Sequence, residues 1–241
     1  MDDDAPGSAL YDGIAPIYDP WSRSVVEDVD FYVEEALVSG GPVVELAVGT
    51  GRIAVPIAKA GVRVIGVDES PAMLEGARAY AERENVSPLV DLRLGDLRDP
   101  PVDERVPLAT VPFRSLLHMP DEHQKLRALT AAASVLEPGG RFVFDVFAPS
   151  PEDIEETDGR WLEREPGIFE RADWDLEARR LVLSIRGGEQ SARFALHWLS
   201  APEWNALIED AGLVAEAIFG WFDRRPYDGG EDQIWICRRP G

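Results

Sequence analysis

The residues whose spacing carries chemistry begin with Glu45-x-Ala47-x-Gly49-x-Gly51. Glycines directly after a short apolar run let a ligand approach the backbone, and the free N–H groups of a following helix face whatever binds there. Asp68 closes a second apolar run, a position from which a carboxylate accepts hydrogen bonds from a ribose diol. Asp96 and Leu97 follow a third such run, and Phe113 and His118 follow a fourth. These positions imply a nucleoside site with an imidazole nearby that titrates near neutral pH. The three histidines, His118, His123 and His197, have no metal-ligand spacing, so no metal is expected.

Such residues need a strand–helix–strand frame. Residues 43–46 read as a buried strand, an apolar-periodic helix runs from the glycine turn to Gly61, and residues 62–67 form a second strand. That is a βαβ unit of about thirty residues. Pro56 should remove one bond from its helix and bend it modestly. Ser70 and Pro71 are the N-cap and first residue of the next helix, which runs to about Glu84. Residues 92–94 and 108–113 are the third and fourth strands. Asp121 caps a helix with Gln124 as return partner, and Leu126, Leu129, Ala133 and Leu136 form its apolar stripe. Residues 138–140 end that helix, and residues 141–147 are a fifth strand. Between residues 161 and 199 the period changes to two. Leu181, Leu183 and Ile185 alternate, as do Phe194, Leu196 and Trp198, with Gly187-Gly188 between them. With residues 168–174 they predict a small antiparallel sheet. Ser200 and Glu203 form a capping box for a last helix with Trp204, Leu207, Ile208 and Ala211 inward, and two antiparallel strands close the chain.

A chain of 241 residues with 45% apolar content has material for one large domain and its appendages. No apolar run is long enough for a membrane span, and the acidic N-terminus is unlike a signal peptide. One cysteine, Cys237, excludes an internal disulfide and fits a cytoplasmic protein. The net charge of −21 disfavours nucleic acid and anionic membranes as partners. Residues 1–9 are expected to be disordered.

The Glu45–Gly51 pattern resembles motif I of the class I S-adenosylmethionine (SAM) dependent methyltransferases, with Ala47 in place of the commonest glycine. Gly66-Val67-Asp68-Glu69-Ser70-Pro71-Ala72-Met73-Leu74 resembles their second motif, and Leu94-Gly95-Asp96-Leu97 their third contact, near the adenine amine. Residues 10–19 form an aromatic-acid repeat too short for a core helix, and their Tyr11-Asp12 and Tyr18-Asp19 resemble the YD-x-x-A-x-x-YD segment of small-molecule methyltransferases, where it folds over the cofactor. The inserted sheet resembles that of the glycine and sugar-amine N-methyltransferases, which carry a histidine at the place of His118.

The resemblance implies an α/β fold: a Rossmann-like, seven-stranded, mostly parallel sheet with helices on both faces and a small inserted antiparallel sheet. Residues 108–113 would be the central strand. Residues 1–42 would form the cofactor lid, 43–150 the SAM-binding core, 151–200 the insert over the substrate, and 201–241 the completing helix and hairpin. It also implies SAM as cofactor, S-adenosylhomocysteine (SAH) as product, and methyl transfer to nitrogen or oxygen of a small molecule by a monomer or homodimer. Tyr11, Tyr18, Glu45, Ala47, Gly49, Gly51, Asp68, Glu69, Met73, Asp96, Leu97 and Phe113 would bind the cofactor, with His118 and Tyr18 catalytic. Two alternatives stay open: an NAD(P)-dependent oxidoreductase using the Gly49–Ala54 turn, and a SAM-binding protein that transfers no methyl group.

Overall fold

The computed structural model describes residues 7–22 and 24–241. Its main sheet has β1 (Val43–Leu46), β2 (Val64–Asp68), β3 (Val90–Leu94), β4 (Val106–Val111), β5 (Leu136–Phe147), β10 (Val214–Phe219) and β11 (Asp232–Arg238) in the spatial order β10-β11-β5-β4-β1-β2-β3. β11 runs antiparallel to both neighbours and the other pairings are parallel, so the expected seven-stranded, mostly parallel sheet is present with β4 at its centre. Every residue of β1 and β2 is buried, which is why both read as unbroken apolar runs.

Successive residues of β5 feed opposite faces. Phe142 and Phe144 join the core shared with Leu129 of α5 (Glu122–Val135) and Trp204 of α7 (Ala201–Asp210). Val143 joins the core shared with Phe31 of α2 (Val29–Ser39) and Ile57 of α3 (Ala54–Lys59). α4 (Pro71–Arg83) starts as expected, with Ser70 Oγ accepting from Met73 N. In α3, Val55 and Ile57 donate to Gly51 and Ile53, and Pro56 between them has no N–H to give.

The second sheet contains β6 (Trp161–Glu165), β7 (Ile168–Asp175), β8 (Arg180–Gly187) and β9 (Gln190–His197) in sequential order, reached through α6 (Pro151–Thr157). The hairpin joins Gly187 to Gln190 through Gly188-Glu189, with Gly188 at φ 59°. β6 is a fourth strand that alternation did not reveal, because four of its five residues are exposed.

Three other expectations need correction. Part of the expected disorder of residues 1–9 lies outside the described residues, but from Gly7 the chain is helical: α1 (Gly7–Trp21) was read as too short to join a core, yet it buries Ile14, Ile17 and Trp21. Its seat is supplied by the insert, where a methyl group on Gly187 would stand 2.7 Å from Ile17 Cδ1. Gln124 does not return its side chain to the Asp121 cap; its Oε1 accepts from Arg98 at 2.9 Å. The turn at residues 138–140 lies within β5 rather than before it, since pairing with β4 already begins at Leu136.

Gly66, in the middle of β2, faces Val48 and Leu92, whose side-chain carbons would lie 2.8 and 2.9 Å from an added methyl. Gly66→Ala should therefore destabilise by about 1–3 kcal/mol. At this size that lowers Tm by about 2–12 °C. Calorimetry showing an unchanged Tm would mean that β2 and its neighbours spread without cost.

Candidate active site

The turn after β1 lies at the topological switch of the sheet, where β2 and β4 diverge to either side of β1. Ala47, Gly49 and Gly51 all adopt left-handed conformations, with φ of 58°, 55° and 82°. Gly49 and Gly51 supply this freely. Ala47 carries about 1–2 kcal/mol of strain, so an alanine here in place of glycine is not free. Asp68 locks the turn: one carboxylate oxygen accepts from Gly49 N at 2.8 Å and the other from Ser70 N at 2.9 Å. Burial raises its pKa against the pull of these bonds. Asp68→Ala would thus remove both bonds that hold the turn.

The paired tyrosines and aspartates of α1 are seven residues apart, two helical turns, and share one face. Asp12 accepts from Ser70 Oγ at 2.6 Å and from Ala72 N at 3.1 Å, while Asp19 accepts from Thr50 Oγ1 at 2.6 Å. These carboxylates fasten α1 across the glycine turn. Tyr18 covers Gly49, and the Tyr11 hydroxyl lies 2.7 Å from His118 Nε2. On its other side α1 meets the insert, with Trp21 Nε1 donating to Glu170 at 2.8 Å.

Asp145 on β5 shapes the segment beyond β4. Its carboxylate accepts from Phe113 N, Arg114 N and Tyr32 Oη at 2.8, 2.9 and 2.6 Å. Those bonds hold Phe113 and Arg114 in left-handed conformations (φ 57° and 60°) and aim the 3₁₀ turn Ser115–His118 at the cavity. Burial and the nearby Asp28 raise the Asp145 pKa to about 6. Beneath the turn, Arg52 pairs with buried Asp28 through two 2.6 Å bonds and covers the Phe113 ring. Removing one partner of so buried a pair costs about 3–5 kcal/mol.

These elements enclose a cavity of about 720 Å³, within the range of sites for small ligands and cofactors. Tyr11, Tyr18, Ala47, Gly49, Asp68, Glu69, Met73, Asp96, Leu97, Phe113 and His118, eleven of the thirteen residues expected from the sequence, reach its wall. Gly51 does not; it lets the backbone pass Val55 and Ala77. Glu45 lies behind the wall, 2% exposed, and its Oε2 has no hydrogen-bond partner among the described residues. Burial pushes its pKa up to about 8. Asp96 is on the wall, but both its oxygens accept from the Arg98 guanidinium. Desolvation opposes its charge, and the Arg98 bonds overcome this and lower its pKa.

His118 turns a half-buried ring into the cavity against Tyr11 and Phe194, with centroids 5.5 and 5.2 Å away. Desolvation, then the charges of His197 and Lys125, bring its pKa down to about 4. The ring is neutral at any ordinary pH. Burial likewise raises the pKa of Tyr11 and Tyr18, so both stay protonated.

The wall is also acidic, carrying nine carboxyl groups against four arginines. Two of those arginines, Arg98 and Arg114, are engaged by Asp96 and Asp232. Around the glycine turn this is the wrong charge for a dinucleotide's pyrophosphate and the right one for a sulfonium and an ammonium. The orphaned Glu45 oxygen fits the same cationic group. Among the described residues no cluster of three or more His, Cys, Asp or Glu is placed to hold a metal, and no helix is long and apolar enough to cross a membrane.

A glycine turn, an acid ending the second strand and a cavity at the switch point define an α/β enzyme built around a nucleoside cofactor. Residues 43–140 match the methyltransferase domain family. The chain aligns end to end with the CcbJ methyltransferase from Streptomyces caelestis, at 25% identity, 100% coverage of both chains and a TM-score of 0.84. It is 24% identical to the cypemycin N-terminal methyltransferase of a Streptomyces species, over 83% of each chain. The SAM-bound amino pentose methyltransferase CalS10 from Micromonospora echinaspora shares the fold, with 20% identity, a TM-score of 0.66 and coverage of 92% and 96%. Several further curated relatives are matched over 47–62% of their own length. Residues 43–140 are a methyltransferase domain, the protein is a SAM-dependent methyltransferase with the class I fold, and SAM is its cofactor.

Sequence reasoning missed Trp21, Phe194 and Lys125. The first two come together only through tertiary packing. Lys125 left a signal, since it stands four and seven residues before Leu129 and Ala132 on the inward stripe of α5. It is 1% exposed, and its ammonium donates to the carbonyl of Met119, the residue after His118. Desolvation lowers its pKa to about 8. Lys125→Met removes a positive charge that opposes protonation of His118, so the imidazole pKa should rise. It should stay below 6.5, because burial, the larger cause, is untouched. Histidine-selective NMR titration reads this directly, and an unchanged or lower value would remove Lys125 from the electrostatics of the site.

Proposed function

We propose that the protein transfers the methyl group of SAM to a small-molecule acceptor, at nitrogen or oxygen, with nitrogen favoured. The observation that carries this is the opening of the glycine turn and of His118, Tyr11 and Phe194 onto one carboxylate-rich cavity. SAM supplies an electrophilic methyl group on a sulfonium when bound. The residues that would hold it are Gly49 and the backbone around it, Asp68 at the ribose, Leu97 and Met73 at the adenine, and Glu45 toward the methionine ammonium. Asp96 would meet the adenine amine only in competition with Arg98. In this reading α1 is the cover of the cofactor site and the four-stranded sheet the cover of the acceptor site. The protein acts in the cytoplasm as a monomer or homodimer, without nucleic-acid or membrane partners, in keeping with its charge and single cysteine.

His118 and Tyr11 would place the acceptor atom in line with the methyl group, where orientation supplies much of the rate. An imidazole with a pKa of about 4 is a poor general base near neutral pH but accepts a hydrogen bond well. We therefore assign it orientation of an amine lone pair rather than proton removal. Tyr18, protonated and above Gly49, would close the cavity between cofactor and solvent. The surplus of carboxylates stabilises the positive charge that an amine acquires on methylation, whereas an oxygen acceptor gains nothing comparable from it.

SAH formation from SAM across a panel of small amines, phenols and carboxylates tests the function, and turnover confined to non-amines would reverse the preference for nitrogen. His118→Asn should lower kcat by about tenfold, short of the 10²–10⁴ expected for loss of a general base. The wild-type rate should show no titration attributable to this histidine between pH 5 and 8. A loss of a thousandfold, or a wild-type rate that falls with an acidic limb near 6.5, would restore the base.

Glu45 provides an independent check. Its folded pKa of about 8 leaves it mostly protonated at pH 7, and a bound ammonium favours the charged form. SAM binding at pH 7 should therefore release most of a proton, seen as a calorimetric enthalpy that varies with the ionisation enthalpy of the buffer. Glu45→Gln should abolish that release. Equal release from wild type and variant would place the cation elsewhere.

A further inference from the structure

The inner face of the four-stranded sheet is organised in cross-strand rows. Trp174, Leu181 and Leu196 pair in one row, and Ala172, Leu183 and Phe194 in the next. All six line the cavity. Neighbouring strands lie about 4.8 Å apart and same-face residues about 6.8 Å apart along a strand, so the two rows form an apolar floor of about 10 by 7 Å. Its single polar side-chain group, the Trp174 Nε1, is already used and donates to Thr157 Oγ1 at 2.9 Å. Phe147 at the end of β5 closes over the Trp174 edge, with ring centroids 6.1 Å apart.

The floor has definite limits. The third row, Glu170, Ile185 and Ala192, reaches the cavity through Glu170, which holds Trp21. Arg160, Glu163 and Arg164 touch the cavity from exposed positions at its rim. At the Phe194 edge stands His118, so the group that would orient the acceptor and the hydrocarbon surface are adjacent.

We propose that the acceptor carries an apolar body, a single ring or a chain of about six to eight carbons to match the floor, next to the atom that is methylated, and that these two rows bind it. The inference rests on the acceptor reading above and narrows it. A bare sugar seated here would turn its hydroxyl groups toward hydrocarbon and lose their water without replacement. An alkyl or aryl body loses nothing, and each methylene it places on the floor strengthens binding about two- to fourfold.

Calorimetric titration of the SAH-saturated protein with n-butylamine, n-hexylamine and n-octylamine tests the floor without requiring turnover. Affinity should rise about two- to fourfold per methylene. Galactosamine should bind at least tenfold more weakly than hexylamine. Ala172→Leu, which raises the middle of the floor, should remove the gain from hexyl to octyl while SAH affinity stays unchanged. A wild-type affinity independent of chain length, or galactosamine binding as tightly as hexylamine, overturns the proposal whatever the variant does. Chain-length-dependent binding with no methyl transfer to any amine upholds the apolar floor and removes the amine reading of the function instead.

Discussion

The Asp68 carboxylate is the constraint on which the site depends. It fixes Gly49 on one side and Ser70 on the other, so the turn after β1 and the start of α4 move as one piece. Ser70 in turn donates to Asp12, and the neighbouring Tyr11 reaches His118. Hydrogen bonds, with one step along the α1 backbone from Asp12 to Tyr11, thereby join the glycine turn, α1 and the His118 side of the cavity. Hydrogen bonds to charged groups contribute about 1.5–3 kcal/mol each, so the arrangement is held by more than packing. α1 cannot lift from Ser70 without also loosening Tyr11 from the imidazole. The seat of α1 on the start of α4 and the placement of His118 are mechanically coupled.

A second acid does similar work from the opposite side. Asp145 accepts three hydrogen bonds and shapes the turn between β4 and His118. Its bonds hold that turn in place. Between them, Asp68 and Asp145 define the two lips of the cavity, and both keep their carboxylates away from bulk water. A low local dielectric makes such bonds stronger and their loss more costly. The acidity of the chain is therefore in part an internal scaffold.

The sequence was most legible where the physics is local. The first strand, glycine turn, second strand and the Ser70-Pro71 helix start are encoded within about thirty residues, and their bonds close within the same stretch. The capping box at Ser200 and the alternation of β8 and β9 are likewise short-range. α1 was misread because the surface that buries Ile17 comes from Gly187, far along the chain. Gln124 left its expected partner for Arg98, a residue from another element. Asp96 appears free in sequence, yet Arg98, only two positions on, claims both its oxygens. Glu45, expected on the site wall, lies behind it. In each case the competing partner was a side chain whose reach depends on tertiary packing, which periodicity and capping rules do not contain.

The order of the main sheet has a consequence for how the protein is made. β11, which follows every other strand of the described residues in sequence, lies between β10 and β5 and pairs with both. Until Asp232–Arg238 has left the ribosome, the edge of β5 has no neighbour, although α6, the whole second sheet and α7 have already emerged. An open edge of that kind, flanked by Phe142 and Phe144, invites pairing with other chains. The two sheets thus face different hazards during synthesis. The inserted sheet folds from consecutive hairpins as it appears, whereas the sheet bearing the cofactor turn must wait, incomplete, for the final strand to be threaded into the gap.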